Sequence, residues 1–132
     1  MKLIICVDDE YGILFNRRRV SRDRAVVEKI KELTVDKKLW IGEFSRQLFD
    51  EDVTVAEDML QRAGEYDFCF VEDADVTGVM EKVKEVFLFK WNRRYPSDAG
   101  FDPENLADFR LASSEDFPGN SHEKITLERW TR

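Results

Sequence analysis

Phe117-Pro118-Gly119-Asn120 stands between two alternating runs, residues 108–112 and 123–130, and this stretch decides the fold. Adjacent Pro and Gly mark a turn, and apolar-polar alternation marks half-buried strands, so the chain is expected to close as an antiparallel β-hairpin. Working upstream, residues 2–7, 39–41, 67–71 and 85–91 are short apolar runs of the kind that form strands buried on both faces. Between them lie helical stretches. Ser21 is a suitable N-cap for a helix over 22–33, whose Ala25, Val26, Ile30 and Leu33 share one stripe. Shorter helices are expected over 43–49, 57–62 and 76–83, with Gly64 closing the second. The Arg-rich segment 11–20 and the Pro/Gly-bearing segment 93–104 read as loops, and the acidic turn Asp50-Glu51-Asp52 leads into a short strand at 53–55.

Alternating strands and helices followed by two terminal strands predict an α/β domain over residues 1–132. Its mostly parallel mixed sheet should be flanked by helices and closed by the C-terminal hairpin. Ligands of such sheets sit beyond the C-terminal strand ends, where Asp8-Asp9-Glu10 and Glu72, Asp73 and Asp75 follow two of the strands.

The 132 residues hold 21 Lys+Arg and 28 Asp+Glu, a formal charge of −7, which disfavours general attraction to nucleic acid or an anionic membrane. No helix-turn-helix spacing, finger or aromatic-glycine RNA motif suggests sequence-specific nucleic-acid binding. The apolar runs are too short to span a bilayer, and the expected location is the cytoplasm. Cys6 and Cys69 sit in apolar strands and read as buried thiols. One histidine, His122, is too few for a multi-imidazole metal site and reads as a surface turn residue. Trp40, Trp91 and Trp130 fall in expected strands and read as packing residues. Arg17, Arg18, Arg19 and Arg22 concentrate positive charge in an acidic chain, as either a solvated loop or a patch for an anion or an acidic protein partner.

Two resemblances follow. Asp8-Asp9-Glu10 after an apolar strand resembles the acid pair of phosphoacceptor receiver domains. That likeness implies a magnesium pocket built from Asp8, Asp9 and Asp73, an acceptor at Asp73 or Asp75, and Lys90 as the lysine. A receiver, however, continues from its acids into a helix and ends in one, unlike this chain.

The order of elements resembles dihydrofolate reductase throughout. Leu3-Ile4-Ile5-Cys6-Val7-Asp8 with Gly12-Ile13 is similar to that family's first strand and mobile loop. Leu39-Trp40-Ile41-Gly42 with Phe44-Ser45 resembles its cofactor-receiving strand-glycine-helix, Val83-Lys84-Glu85-Val86-Phe87-Leu88 its aromatic strand, and Asn120-Ser121-His122 to Leu127-Glu128-Arg129 its closing hairpin. The resemblance implies Asp23 as active-site carboxylate and Gly42 and Ser45 as NADPH contacts. Yet Glu72-Asp73-Ala74-Asp75 replaces the glycine pair beside the cofactor phosphates, and Glu43 replaces a basic residue. Phe89 stands in place of a pocket threonine, and Val27 in place of a pocket aromatic. One strand and its phosphate loop have no counterpart between Phe49 and Val53.

No cofactor is therefore expected. The first reading is a non-reductase of this fold with a small-molecule or protein partner, bound between the first loop, Asp23 and the acids after Val71. Two alternatives remain open at this point: a minimal pterin reductase using a nicotinamide cofactor with Asp23, and a magnesium-binding acidic pocket.

Overall fold

β1 (Lys2–Val7) runs through the middle of a seven-stranded sheet in the computed structural model, which describes residues 1–50 and 52–132. Glu51 of the expected acidic turn lies outside them. Leu3, Ile5 and Val7 enter one core and Ile4 the other, as strand alternation requires. Both faces of β1 are therefore covered.

The sequence continues as β2 (Gly12–Phe15), β3 (Arg18–Arg19), α1 (Arg24–Leu33), β4 (Leu39–Ile41), β5 (Thr54–Val55), α2 (Met59–Arg62), β6 (Phe68–Phe70), β7 (Glu85–Lys90), β8 (Ala99–Gly100), β9 (Arg110–Phe117) and β10 (Ile125–Thr131). The large sheet has the order β5-β4-β6-β1-β7-β10-β9. Its first five strands pair in parallel, and β10 joins β7 and β9 antiparallel. This is the expected mixed α/β architecture, with a second sheet added in the order β3-β2-β8.

Several local expectations change. Segment 11–20 is a hairpin in place of a loop: Asn16 and Arg17 take φ of 50° and 63°, and this two-residue turn pairs Phe15 with Arg18. Positive φ at two successive non-glycine residues left no Asn-Gly or Gly-Gly signature to read. Helices 43–49 and 76–83 shorten to 3-10 turns at Glu43–Leu48 and Thr77–Lys82, and 57–62 shortens to the single turn of α2. The closing hairpin turns through the longer loop 118–124, since Phe117 pairs with Ile125. Its outer strand β9 is exposed along almost its whole length, so burial there does not alternate.

α1 begins at Arg24, capped by Asp23 and not by Ser21. Asp23 is extended (φ −154°, ψ 130°), and its carboxylate accepts from the Ala25 amide. Val26 and Ile30 of α1 then pack on Ile41, Phe70, Phe87 and Phe89 of the sheet.

Candidate functional site

The cap of α1 is also the anchor of the loop between β9 and β10. Asp23 Oδ1 accepts from the amides of Ala25 and Asn120, each at 2.8 Å. Its Oδ2 accepts from the Ser121 amide at 2.8 Å, the His122 amide at 3.1 Å and the Ser121 hydroxyl at 3.2 Å, and lies 2.9 Å from His122 Nδ1. Burial by itself would raise the acid's pKa. The His122 hydrogen bond and the amides of Asn120, Ser121 and Ala25 prevail and hold it well below the carboxylate range. The acceptor capacity of Asp23 is thus taken up inside the protein. Gly119 makes the approach possible, because a Cβ there would stand 2.7 Å from both Asp23 Oδ2 and the His122 carbonyl.

His122 is buried, 7 % exposed, and not a surface turn residue. Its ring stacks on Trp91 with centroids 4.7 Å apart, and Nε2 lies 2.9 Å from both Ser21 Oγ and Tyr95 Oη. Ser21 Oγ and Tyr95 Oη are 3.1 Å apart. Nothing local in the sequence joins these groups: Ser21 and His122 are 101 residues apart and Tyr95 and His122 27. Only the return of β10 to β7 brings them together.

Between this cluster and Glu72 the space is small. A cavity of about 10 Å³ lies among Cys6, Ser21, Asp23, Val27, Leu48, Phe70, Glu72 and Trp91. A second of about 10 Å³ lies among Cys6, Ile13, Arg19, Val20, Ser21, Val71, Glu72 and Trp91. Each has room for about one water molecule. Phe89 does not line either; it is fully buried against Phe117. The Cys6 thiol at this wall is pushed up by burial and by Glu72, and Cys69 is pushed up to about 12 by burial, so neither is an available thiolate.

Glu72 closes the other side. Its carboxylate accepts from Arg19 Nε at 2.8 Å and Nη2 at 3.0 Å, and from Ser45 Oγ at 2.7 Å. Arg19 also donates to the Phe44 carbonyl at 3.1 Å and lies over the Phe44 ring. Ser45 is buried at the start of the 3-10 turn that follows Gly42. The Glu43 amide of the same turn donates to Glu57 Oε1 at 2.8 Å. The residues expected to contact a cofactor thus face two carboxylates of the chain itself.

The expected arginine patch is divided. Arg17 and Arg18 are exposed at the β2–β3 turn, Arg19 is committed to Glu72, and Arg22 borders an open depression of about 400 Å³ with Asp23, Arg24, Val27, Leu48 and Asp50.

The acids do not assemble into a magnesium pocket. Asp8 is buried and accepts from the amides of Glu10 at 2.9 Å, Gly12 at 2.6 Å and Tyr95 at 3.0 Å, while Asp9 and Asp73 are exposed. Among the described residues no three His, Cys, Asp or Glu side chains are grouped to hold a metal. Asp75 caps the following turn through the Thr77 amide at 3.0 Å, and Lys90 pairs with Glu128 at 3.7 Å.

A further open concavity lies at the other side of His122. A cleft of about 990 Å³ is bounded by Trp91, Asn92 and Arg93 on one side and by Phe117 at the end of β9 and Pro118, His122 and Lys124 of the β9–β10 loop on the other. No local sequence signal marks it, because its walls are about 20 or more residues apart until the hairpin folds back. Asn92 holds the two sides together by donating to the Lys124 carbonyl at 3.2 Å and Thr126 Oγ1 at 2.9 Å.

No protein-family profile matches the chain, and no curated protein matches it by sequence. Among the described residues no helix is long and apolar enough to cross a membrane. Among solved structures the chain is similar to dihydrofolate reductase from Enterococcus faecalis, a structure complexed with NADP(H) and RAB-propyl. The TM-score is 0.71 at 13 % identity, covering 100 % of this chain and 96 % of that one. The sheet order, the capped first helix and the closing hairpin thus belong to a dihydrofolate-reductase-like fold.

Proposed function

We propose that this chain is a non-reductase of the dihydrofolate-reductase-like fold, a small-ligand-binding protein that does not use a nicotinamide cofactor. The observation that carries this reading is the Glu72 carboxylate, held by Arg19 and by Ser45. The family resemblance expects a dinucleotide's phosphates near Gly42, Ser45 and the turn after β6. A fixed carboxylate there repels a second anion and uses up the donors that would receive it. Glu57 does the same at the Glu43 amide. The oxygens of Asp23 are taken up by the amides of Ala25, Asn120, Ser121 and His122 and by the His122 ring, which leaves no lone pair for a pterin. A fold does not carry its usual activity when the site is replaced.

The ligand-binding half of the proposal rests on the cleft of about 990 Å³, which is of the size that takes small molecules. Buried Trp91 and His122 form its base, and Phe117 with Pro118 gives an apolar edge beside Arg93 and Lys124. The direct test is NADPH consumption, followed by absorbance with dihydrofolate as co-substrate. The expected rate equals that of buffer alone; turnover that disappears in Asp23→Asn would establish the reductase instead.

A further inference from the structure

We propose that Ser21, His122 and Asp23 form a nucleophile, base and orienting carboxylate that hydrolyse esters of small acyl groups, with Tyr95 assisting at the developing oxyanion. Its contacts support it: Asp23 Oδ2 lies 2.9 Å from His122 Nδ1, His122 Nε2 lies 2.9 Å from both Ser21 Oγ and Tyr95 Oη, and Ser21 Oγ donates to Tyr95 Oη at 3.1 Å. Asp23 is kept ionised by the amides of Ala25, Asn120 and Ser121 and places the His122 proton on Nδ1, leaving the Nε2 lone pair toward the two hydroxyls. Stacking on Trp91 fixes the plane of the ring. A serine hydroxyl against a base whose other nitrogen is held by a buried carboxylate is the arrangement of an activated nucleophile. Asp23 is a positioning residue here, and Ser21, His122 and Tyr95 are not among the residues that the family resemblance assigns to nicotinamide chemistry.

The chemistry balances with water as the only co-reactant. Ser21 Oγ forms a bond to the ester carbonyl carbon while its proton passes to His122 Nε2, and the Tyr95 hydroxyl donates to the carbonyl oxygen as it gains charge. The carbon–oxygen bond to the alcohol breaks, and His122 returns the proton to that leaving oxygen. Water then attacks acyl-Ser21, giving one proton to His122; the Oγ–carbon bond breaks, releasing the carboxylic acid, and Ser21 regains its proton from His122. Ser21 and Tyr95 are half-buried, so the carbonyl arrives from solvent. The cavities that border Ser21 each hold about one water molecule, so a methyl-sized acyl substituent is the group they accommodate best.

The test uses the full chain with p-nitrophenyl acetate and p-nitrophenyl hexanoate, followed by nitrophenol release and by peptide mass spectrometry of the acylated protein. The expected result is acetylation at Ser21 and release about a hundredfold or more above Ser21→Ala, with hexanoate at least about tenfold slower. His122→Gln is expected to match Ser21→Ala, and Tyr95→Phe to lower kcat with KM unchanged. An unchanged melting temperature in Ser21→Ala ties its loss to chemistry. Release equal in wild type and Ser21→Ala, or acetyl found on lysines and not on Ser21, overturns the proposal; equal rates for both esters overturn its acyl-size preference. NADPH plays no part in this assay, so its outcome is separate from that of the non-reductase reading.

Discussion

Glu72 and Arg19, 53 residues apart in sequence, meet as a two-pronged ion pair, Nε to Oε2 at 2.8 Å and Nη2 to Oε1 at 3.0 Å. Their side chains are only 9 % and 14 % exposed, and Ser45 completes the set at 2.7 Å. Such a pair contributes less by its attraction than its loss costs, because removing one partner strands the other.

Glu72→Ala leaves the Arg19 guanidinium and the Ser45 hydroxyl without their acceptor. The expected cost is about 3 kcal/mol in a denaturant titration. Inorganic pyrophosphate should restore part of that stability in the variant and add none to wild type, measured as a shift in melting temperature. Equal shifts in both proteins would show that Glu72 does not occupy an anion position.

Acid should loosen the β9–β10 loop from α1. The pKa of Asp23 is depressed in the folded protein, so its stabilisation is fully present above the unfolded value of 3.8 and is lost as pH falls below it. Wild type is expected to lose stability steadily below about pH 4. Asp23→Ala, which removes the acceptor of four amides, should cost about 3 kcal/mol at neutral pH and show a shallower acid slope. The same acid slope in both would remove Asp23 from this account.

Gly119→Ala places a methyl group 2.7 Å from Asp23 Oδ2 and the His122 carbonyl and 2.9 Å from Ile125 Cδ1. The loop must shift to admit it. A loss of about 1–3 kcal/mol is expected, together with faster amide exchange at Asn120 and Ser121. Unchanged exchange would mean that the loop adapts without releasing Asp23.

Asp73 offers the opposite sign. Although its side chain reaches solvent, partial desolvation by its neighbours, followed by the Glu57 charge, raises its pKa, so its charge weakly opposes folding at neutral pH. Asp73→Asn should raise the melting temperature slightly, with or without magnesium. A magnesium-dependent stabilisation of wild type that Asp73→Asn abolishes would revive the acidic metal pocket.

The sheet was legible in sequence because its strands are short apolar runs bounded by acids or Gly: residues 39–41 form β4, and residues 85–91 contain β7. α1 was legible from the Ala25, Val26, Ile30 and Leu33 stripe, although Asp23 outcompeted Ser21 as the cap because Ser21 turns its hydroxyl to His122. The site was legible only as a set of departures. Glu72 in place of glycine signalled a changed phosphate position, but its partners Arg19 and Ser45 depend on the β2–β3 hairpin, which positive φ at Asn16 and Arg17 concealed. His122 was misplaced on the surface because its burial comes from Trp91, Tyr95 and Ser21, all distant in sequence.

The proposed function rests on Glu72 and Glu57 holding the Ser45 hydroxyl and the Glu43 amide that a dinucleotide phosphate would otherwise use. Titration of wild type with NADPH, read by tryptophan fluorescence and corrected for inner-filter absorption, tests it most directly, since Trp91 borders both small cavities. No saturable quenching is expected up to millimolar NADPH. Saturable quenching at micromolar NADPH, competed by NADP and lost in Ser45→Ala, would contradict it.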